Sequence, residues 1–462
     1  MFEKFANIFR IPDLRRRILF TLGLLAVYRL GGHIPTPGVN ADRLQQFFEQ
    51  NRGTFLGFVD LFSGGQLRRL TIFALGIMPY ITASIILQLL TVVYEPLAKL
   101  QKEGELGRKK ITQWTRYLTL ALSAVQSFGI AVSLEKSGDF VVNPGVGFIL
   151  MTVLTLTTGS VFIMWLGEQI TERGVGNGMS LLIFAGIVVG LPRGVADLID
   201  KTKNAAWGPF TPVAMLALVA LMVLIVAFIV YVERSERRIP VQYAKRVVGR
   251  KVMGGQSTHL PLRVNAGGVM PVIFASSILT MPQMALQGFK NNRYFGDLIR
   301  ALGWGEPLYT LLYAAGIIFF AYFYVSIVFN PNEVADNMRK YGGFIPGIRP
   351  GRRTADHINE ILTRITLVGA LYLIIISFIP EWMIAGIHLN HLWGPVGAFF
   401  ERLPTWITNG LGVTFYFGGT SLLIVVGVAM DTVTQVEAQL VMRHYDGFSP
   451  RSGRIRGRRT WS

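Results

Sequence analysis

The sequence contains no cysteine and few charged residues. The absence of cysteine excludes disulfides, thiolate metal sites and cysteine nucleophiles. Only 16% of the 462 residues are charged, whereas 51% are hydrophobic, and the mean hydropathy is +0.44. A water-soluble domain carries roughly 25% charged residues, so this chain has too little polar surface to coat a soluble fold. The composition therefore indicates an integral membrane protein.

Apolar runs near the ~20 residues that a hydrocarbon core of ~30 Å requires occur about ten times. Two of them are short, and the second of these stops at Pro192, beyond which residues 193–200 would continue the helix after a kink. The ten predicted spans are 18–32, 72–94, 115–135, 148–167, 179–190, 212–232, 267–287, 307–329, 361–379 and 411–435.

Lys and Arg outnumber Asp and Glu by 45 to 27, and they are unevenly distributed between the connecting segments. The alternate segments that begin with the N-terminus hold 30 of them, and the other connecting segments hold 12. Cytoplasmic loops of membrane proteins carry an excess of Lys and Arg. The distribution therefore predicts an even number of spans with both termini in the cytoplasm. The 30 lie in segments 1–17, 95–114, 168–178, 233–264, 330–360 and 436–462.

Two segments of the chain repeat each other. Residues 76–87 read GIMPYITASIIL and residues 268–279 read GVMPVIFASSIL, with eight of twelve positions identical at an offset of 192. Five spans per half is an odd number, so the second half must be inverted relative to the first. Inverted repeats place a pathway near the bilayer midplane, at the interface of the halves. The repeat makes Ile81 and Ile273 equivalent positions.

The predicted spans carry almost no charge. Apart from Arg29 and residues at the span ends, no charged side chain lies within them. Ion-driven transporters generally need buried acids or histidines, and the sequence holds no phosphate loop, metalloprotease or serine-hydrolase motif. The residues favour a pathway with neutral, apolar walls. A secondary transporter for a small solute remains an alternative because transporters share inverted repeats, and an intramembrane enzyme is a third.

Six motifs spread over most of the chain are similar to those of one family. The chain resembles the SecY family, the channel-forming subunits of the bacterial Sec protein translocase. The resemblance implies an all-α integral membrane protein with about ten transmembrane helices, in two inverted five-helix halves around an hourglass pore. The halves would be residues 1–204 and 205–435, followed by a basic cytoplasmic tail, 436–462. The motifs are Phe62–Gly65, Gly76–Ile81, Trp165–Gly174, Gln256–Pro261, Gly347–Gly351 and Phe417–Ile424.

The resemblance further implies a constriction ring, a plug and a lateral gate. Branched apolar side chains in the ring would exclude ions by dewetting. The plug would occupy about residues 58–70, and the gate would open toward lipid between helices 72–94 and 267–287. By position the ring falls on Ile77, Ile81, Ile183, Ile273 and Ile424, the plug on Leu61, Phe62, Ser63, Gly64 and Gly65, and the gate on Ser84, Gln88, Ser276 and Ser277.

The resemblance also implies partners. Two long basic segments, 233–266 and 330–360, would dock the motor ATPase SecA and the ribosome through Arg250, Lys251 and Arg349. Such residues bind ribosomal RNA phosphates without reading sequence. Other implied partners are SecE, SecG, the signal sequences of secretory proteins and membrane lipid. The channel would lie in the bacterial cytoplasmic (inner) membrane.

The channel itself would be no enzyme. The resemblance implies no catalytic residue, no metal and no cofactor, because ATP hydrolysis would belong to SecA. The long segment 380–410 between the last two spans has no assigned role.

Overall fold

In a computed structural model of the chain, each of the ten predicted spans overlaps a helix. The structure describes residues 11–50, 60, 63–136, 140–203, 211–243, 246–248, 251–253, 257–286, 301–303, 306–385 and 419–446. The helices are α1 (Pro12–Gly31), α2 (Ala41–Gln50), α3 (Met78–Val93), α4 (Glu95–Lys102), α5 (Glu105–Lys136), α6 (Val146–Arg173), α7 (Gly178–Lys203), α8 (Thr211–Arg234), α9 (Met270–Leu286), α10 (Pro307–Val328), α11 (Pro331–Lys340), α12 (Arg352–Ala385) and α13 (Gly419–Asp446).

Seven of the helices in the described part of the chain are long and apolar enough to cross a membrane, namely α5, α6, α7, α8, α10, α12 and α13. Helices α3 and α4 would count as an eighth span if taken together, although they are bent by 104° where they meet. These helices confirm the prediction of an all-α protein that crosses the membrane several times.

Three boundaries differ from the prediction. Helix α3 begins at Met78 and not at residue 72, because Gly76 adopts a φ of +57° and Pro79 favours the first turn of a helix. Helix α7 extends past Pro192 to Lys203, beyond the predicted span 179–190 and in line with the expected continuation of the helix. The last predicted span was placed from residue 411, whereas α13 begins at Gly419 and residues 411–418 lie outside the described part.

The two repeated segments fold alike. Helices α3 and α9 begin at Met78 and Met270, which are 192 residues apart, and each is preceded by a glycine with a φ of +57°, Gly76 and Gly268. These helices have only 16 and 17 residues. At a rise of about 1.5 Å per residue they are shorter than a bilayer core of ~30 Å. Short helices at corresponding positions of two halves point to the pathway.

One large apolar cluster fills the centre of the helix bundle. It draws buried side chains from α1, α3, α6, α7, α8, α9, α10, α12 and α13. Large apolar side chains also cover the outer surface, as at Leu216, Leu311 and Val125, each more than 60% exposed. A surface of this kind is suited to contact with lipid and unsuited to water.

A three-stranded β-sheet joins the two long basic segments, and a separate two-stranded sheet lies within the first of them. The strands are β1 (Glu236–Tyr243), β2 (Arg246–Val248), β3 (Lys251–Met253), β4 (Ser257–Arg263) and β5 (Gly343–Phe344). Strand β1 pairs antiparallel with both β4 and β5, and β2 pairs with β3. Segments 233–266 and 330–360 therefore share one body with its own apolar core, formed by Ile239, Val241, Leu262, Met338, Ile345 and Ile358.

Candidate functional site

A cavity of about 440 Å³ lies between the two short helices. Helix α3 contributes Ile81, Ser84 and Gln88 to its wall. The equivalent helix α9 contributes Met270, Ile273 and Phe274. The remaining wall comes from α5, α6, α7 and α10, and the cavity lies at the end of the bundle where α6 ends and α7 and α9 begin. The cavity is thus built at the interface between the repeated segments.

The five isoleucines predicted to form the ring are all buried in the same central cluster. Their exposed fractions range from 0% for Ile424 to 7% for Ile77 and Ile81. Ile81, Ile183 and Ile273 also line the cavity, so they stand where the open space meets the packed core. Their hydrocarbon side chains offer an ion no ligand that replaces its water.

The residues predicted to form the plug, where the structure describes them, lie against α7 and the turn before α3. Gly64 and Gly65 have φ values of +71° and +78°, which a residue with a Cβ adopts only with strain. A Cβ on Gly64 would lie 2.9 Å from the Cα of Gly186 in α7. Ser63 lies beside Gly76, at the turn before α3. The plug residues Leu61 and Phe62 fall outside the described part of the chain.

The buried residue Asp60 makes hydrogen bonds to residues that follow it in the predicted plug. The carboxylate of Asp60 accepts a hydrogen bond of 3.0 Å from the backbone N–H of Arg68, and its Oδ2 lies 3.9 Å from the Arg68 Nε. The Asp60 carbonyl accepts hydrogen bonds from the Ser63 hydroxyl, at 2.9 Å, and from the Gly65 N–H, at 2.8 Å. Burial raises the pKa of the Asp60 carboxyl, and the hydrogen bonds and charge of Arg68 only partly oppose that shift.

The predicted gate residues lie on the two short helices, where Ser84 and Ser276 occupy equivalent positions. Ser84 and Gln88 are half-buried, and the Gln88 Nε2 lies 3.4 Å from the Ser84 Oγ. Ser276 and Ser277 are buried, and the Ser276 hydroxyl donates to the Ile273 carbonyl at 2.9 Å. Ser84 and Gln88 line the cavity, whereas the two serines of α9 do not.

The cavity wall is not neutral, contrary to the expectation from the sequence. The Arg116 Nε of α5 donates to the Glu168 Oε1 of α6 at 2.8 Å, and both residues line the cavity. Each residue stands at the end of an apolar run, which is why the spans themselves read as uncharged. The pair could have been found from its position in the sequence, because Arg116 lies at the start of one predicted span and Glu168 directly follows the next span.

Two of the three predicted docking residues, Lys251 and Arg349, lie in the described part of the chain. Arg349 is exposed, and its carbonyl accepts a hydrogen bond of 3.0 Å from the Thr354 hydroxyl just before α12 begins. Lys251 is the first residue of β3. Arg250 lies outside the described residues.

Comparison with known proteins gives a consistent picture. The family model described as SecY matches residues 71–433. The protein translocase subunit SecY of Escherichia coli strain K12 is 48% identical over 442 residues, which cover 94% of this chain and 94% of that protein. The SecY subunit of Streptomyces griseus is 46% identical over 471 residues, which cover 97% of this chain and all of that protein.

Solved structures share the fold at low sequence identity. A structure titled as that of a protein-conducting channel matches with a TM-score of 0.63 and 17% identity, over 94% of both chains. Sec61 in a canine ribosome–channel complex from the endoplasmic reticulum matches with a TM-score of 0.61 and 17% identity, also over 94% of both chains. With a family model that covers most of the chain and relatives nearly half identical along almost its whole length, this chain belongs to the SecY family of protein translocase subunits.

Proposed function

We propose a route for polypeptides through this protein-conducting channel. An unfolded secretory chain enters the cavity between α3 and α9, passes the ring of Ile77, Ile81, Ile183, Ile273 and Ile424, and displaces the plug. The observation that supports this route most directly is the cavity itself, because it lies between the repeated helices and three ring isoleucines line it. An apolar ring makes no sequence-specific polar contact, so chains of any composition slide past while ions are excluded.

The plug closes the far side of this route. Along α7, residues Asn177, Ser180 and Ile183 face the cavity, and Gly186 follows one turn later against Gly64 of the plug. Three residues of helix correspond to about 4.5 Å. The plug therefore meets the pore helix just beyond the ring, on the side away from the cavity. The contact with Gly186 and the hydrogen bonds of Asp60 hold one end of this segment, whereas Leu67 and Leu70 anchor the other end in an apolar cluster.

We propose that membrane-protein helices leave sideways between α3 and α9, past Ser84, Gln88, Ser276 and Ser277. A signal sequence with ~10 strongly apolar residues gains ~0.3–0.6 kcal/mol for each on reaching lipid, or ~3–6 kcal/mol in total. Shifting a gate from 1:99 to 99:1 requires about 5.5 kcal/mol. The two quantities are similar, so binding of a strongly apolar signal sequence supplies free energy of the size that opening the gate requires.

The partners follow from the same proposal. SecA or the ribosome would dock on the sheet body through Arg250, Lys251 and Arg349 and drive the chain forward, with SecE and SecG as accessory subunits. Two structural relatives, canine Sec61 and yeast Ssh1, are ribosome-bound in their solved structures. The channel would carry no catalytic residue and bind no cofactor, ATP hydrolysis being the task of SecA. It would lie in the inner membrane with both termini cytoplasmic, in accord with the Lys and Arg distribution.

Photo-crosslinking tests the route. A crosslinker at Ile81 is probed with a secretory chain arrested halfway across the membrane, and a crosslink to the mature part of that chain is expected. Leu216 is 73% exposed on the outer face of α8 and provides the control position. Crosslinks from Leu216 but not from Ile81 would contradict the route. If no position on the channel crosslinks although arrest is confirmed, the transporter alternative regains priority.

A further inference from the structure

Two walls of the cavity carry the same three kinds of side chain in the same order. Each begins with a ring isoleucine, continues with a serine and ends with a carboxamide. At a rise of about 1.5 Å per residue, the serines stand about 4.5 Å from the isoleucines along the helix, and the carboxamides about 9–10.5 Å. The cavity is therefore layered alike on both walls. The residues are Ile81, Ser84 and Gln88 on α3, and Ile183, Ser180 and Asn177 at the start of α7.

The carboxamide of Asn177 presents a hydrogen-bond donor to the cavity. Its Oδ1 accepts from the backbone N–H groups of Met179, at 3.1 Å, and Ser180, at 3.4 Å, so Asn177 caps the N-terminus of α7. Because the oxygen is held by the helix, the Nδ2 lies on the other side of the carboxamide. No residue in the described part of the chain accepts a hydrogen bond from this Nδ2.

The carboxamide of Gln88 presents an acceptor. Its Nε2 lies 3.4 Å from the Ser84 Oγ, one turn earlier on α3. Its Oε1 receives no hydrogen bond from any residue that the structure describes. The hydroxyl hydrogens of Ser84 and Ser180 also have no acceptor within these residues. The two walls thus offer hydrogen-bonding groups that the protein itself leaves unused.

Much of the remaining wall is apolar or already bonded. Arg116 is paired with Glu168, and the hydroxyls of Thr112 and Thr171 donate to carbonyls of their own helices at 3.0 and 2.9 Å. Helix α9 contributes only apolar side chains to the cavity. Unused neutral donors and acceptors are therefore concentrated on α3 and at the start of α7.

We propose that Ser84, Gln88, Asn177 and Ser180 form a polar track that hydrogen-bonds the backbone of an extended polypeptide just before it enters the ring. The inference rests on the proposed function. Each peptide unit carries one N–H donor and one carbonyl acceptor, which match the free Gln88 Oε1 and the free Asn177 Nδ2. An extended chain advances about 3.3 Å per residue, so the track spans about three residues.

The track explains how one cavity receives chains of different sequence. Backbone groups recur at every residue, whereas side chains differ, so contacts with the backbone hold a chain of any composition. Peptide groups that leave water for the dewetted ring lose their hydrogen bonds to solvent, which is unfavourable unless they are replaced. The track replaces them up to the level of the isoleucines.

Replacing one amide of the moving chain by an ester tests the track, because an ester lacks the N–H that Gln88 would accept. The probe is a secretory chain arrested in the full-length channel complex in proteoliposomes, with an uncharged segment in the cavity. The ester is placed at four consecutive positions in turn, since the arrest does not fix which residue faces Gln88. The measured quantity is the rate at which the chain slides back after ATP is removed.

Two variants each remove one element of the track. Gln88→Leu removes the acceptor and keeps a similar volume, and Asn177→Asp removes the donor but keeps an oxygen that caps α7. Gln113→Leu is the matched control. Gln113 is exposed on α5 outside the cavity, and its Nε2 donates to the Tyr117 hydroxyl one turn away, at 3.0 Å.

In the unmodified and Gln113→Leu channels, the ester at its most sensitive position should speed back-sliding roughly fivefold, as expected for the loss of one hydrogen bond. In Gln88→Leu the all-amide chain should already slide back about fivefold faster, and the ester should add nothing. Asn177→Asp should speed back-sliding and keep the ester effect, because Gln88 is intact.

Three results would overturn the track: no ester effect at any position in the unmodified channel, an undiminished ester effect in Gln88→Leu, or unchanged back-sliding in Asn177→Asp. Each is expected if the four residues bind only water. A crosslink from Ile81 to the arrested chain keeps the two proposals apart. With that crosslink, a missing ester effect contradicts the track alone, and without it the proposed function fails together with the track.

Discussion

Gly64 of the plug and Gly186 of α7 are in direct backbone contact, since a Cβ on Gly64 would lie 2.9 Å from the Cα of its neighbour. Gly186 stands one helical turn beyond Ile183, the ring residue that α7 contributes. The contact therefore joins the two proposed barriers of the resting channel. Gly64 cannot gain a side chain without meeting the backbone of α7.

Gly64→Ala should unseat the plug and raise the resting ion conductance of reconstituted channels several-fold, because the added methyl group meets the α7 backbone. The matched control is Gly104→Ala. Gly104 has a φ of +78°, close to the +71° of Gly64, but no atom lies within 4 Å of the Cβ position. Both variants share the strain of a positive φ, so equal conductance in the two would show that the contact with Gly186 does not seat the plug.

Plug seating should strengthen as the pH falls. Burial raises the pKa of Asp60 in the seated plug, whereas a plug displaced into water has the ordinary carboxyl pKa. Protonation thus stabilises the seated state, and this stabilisation is lost as the pH rises through the seated-state pKa. Resting conductance should therefore decrease toward acidic pH. Asp60→Asn should abolish the dependence, and a conductance that rises on acidification would contradict it.

Replacing Ile81 and Ile273 together by Ser should make resting membranes leak ions. Hydroxyl groups at the narrow point would allow water to remain there, so the dewetted barrier would be lost. The control replaces both residues by Leu, which keeps the apolar volume, and this channel should stay as tight as the unmodified one. Planar-bilayer recording at matched protein density compares them, and equal conductance in the Ser and Leu channels would remove the ring from the proposal.

Arg349→Glu should reduce SecA-driven export by more than tenfold and leave insertion of the channel itself into the membrane unchanged. The exposed guanidinium lies in the connection just before α12, where charge reversal repels an acidic or phosphate-bearing partner and disturbs no buried contact. Arg352→Glu provides the control, since Arg352 is also exposed and only three positions along. Export that falls equally in both variants would indicate general charge repulsion and no specific docking residue.

The architecture was predictable because length and hydropathy alone constrain membrane helices. Each of the ten predicted spans overlaps a helix, and the two repeated segments begin helices at equivalent positions, Met78 and Met270. The errors concern the helix ends. The turn of Gly76 was assigned to a span because its neighbours are apolar, whereas the expected continuation of a helix beyond Pro192 is confirmed.

The site was only partly predictable. The five ring isoleucines were named from the family resemblance, the repeat by itself pairing only Ile81 with Ile273, and the structure buries all five in one cluster. Contacts between distant segments left no such pattern. The pairs Arg116–Glu168 and Glu233–Asn265 each join residues that lie in separate parts of the sequence, and only the packing of helices brings them together. The role of the ring remains a prediction.

The three-stranded sheet that joins the two basic segments has a mechanical consequence. Strand β1 leaves α8 through Ser235, strand β4 returns to Val264, and the Val264 N–H still donates to the Ser235 carbonyl at 3.0 Å. The next residue is Asn265. The two strands form a hairpin that ends at the turn before α9, and a motor or ribosome that tilted this hairpin would exert torque on that turn. Force generated outside the membrane would reach the gate through the backbone, with no need to enter the pore.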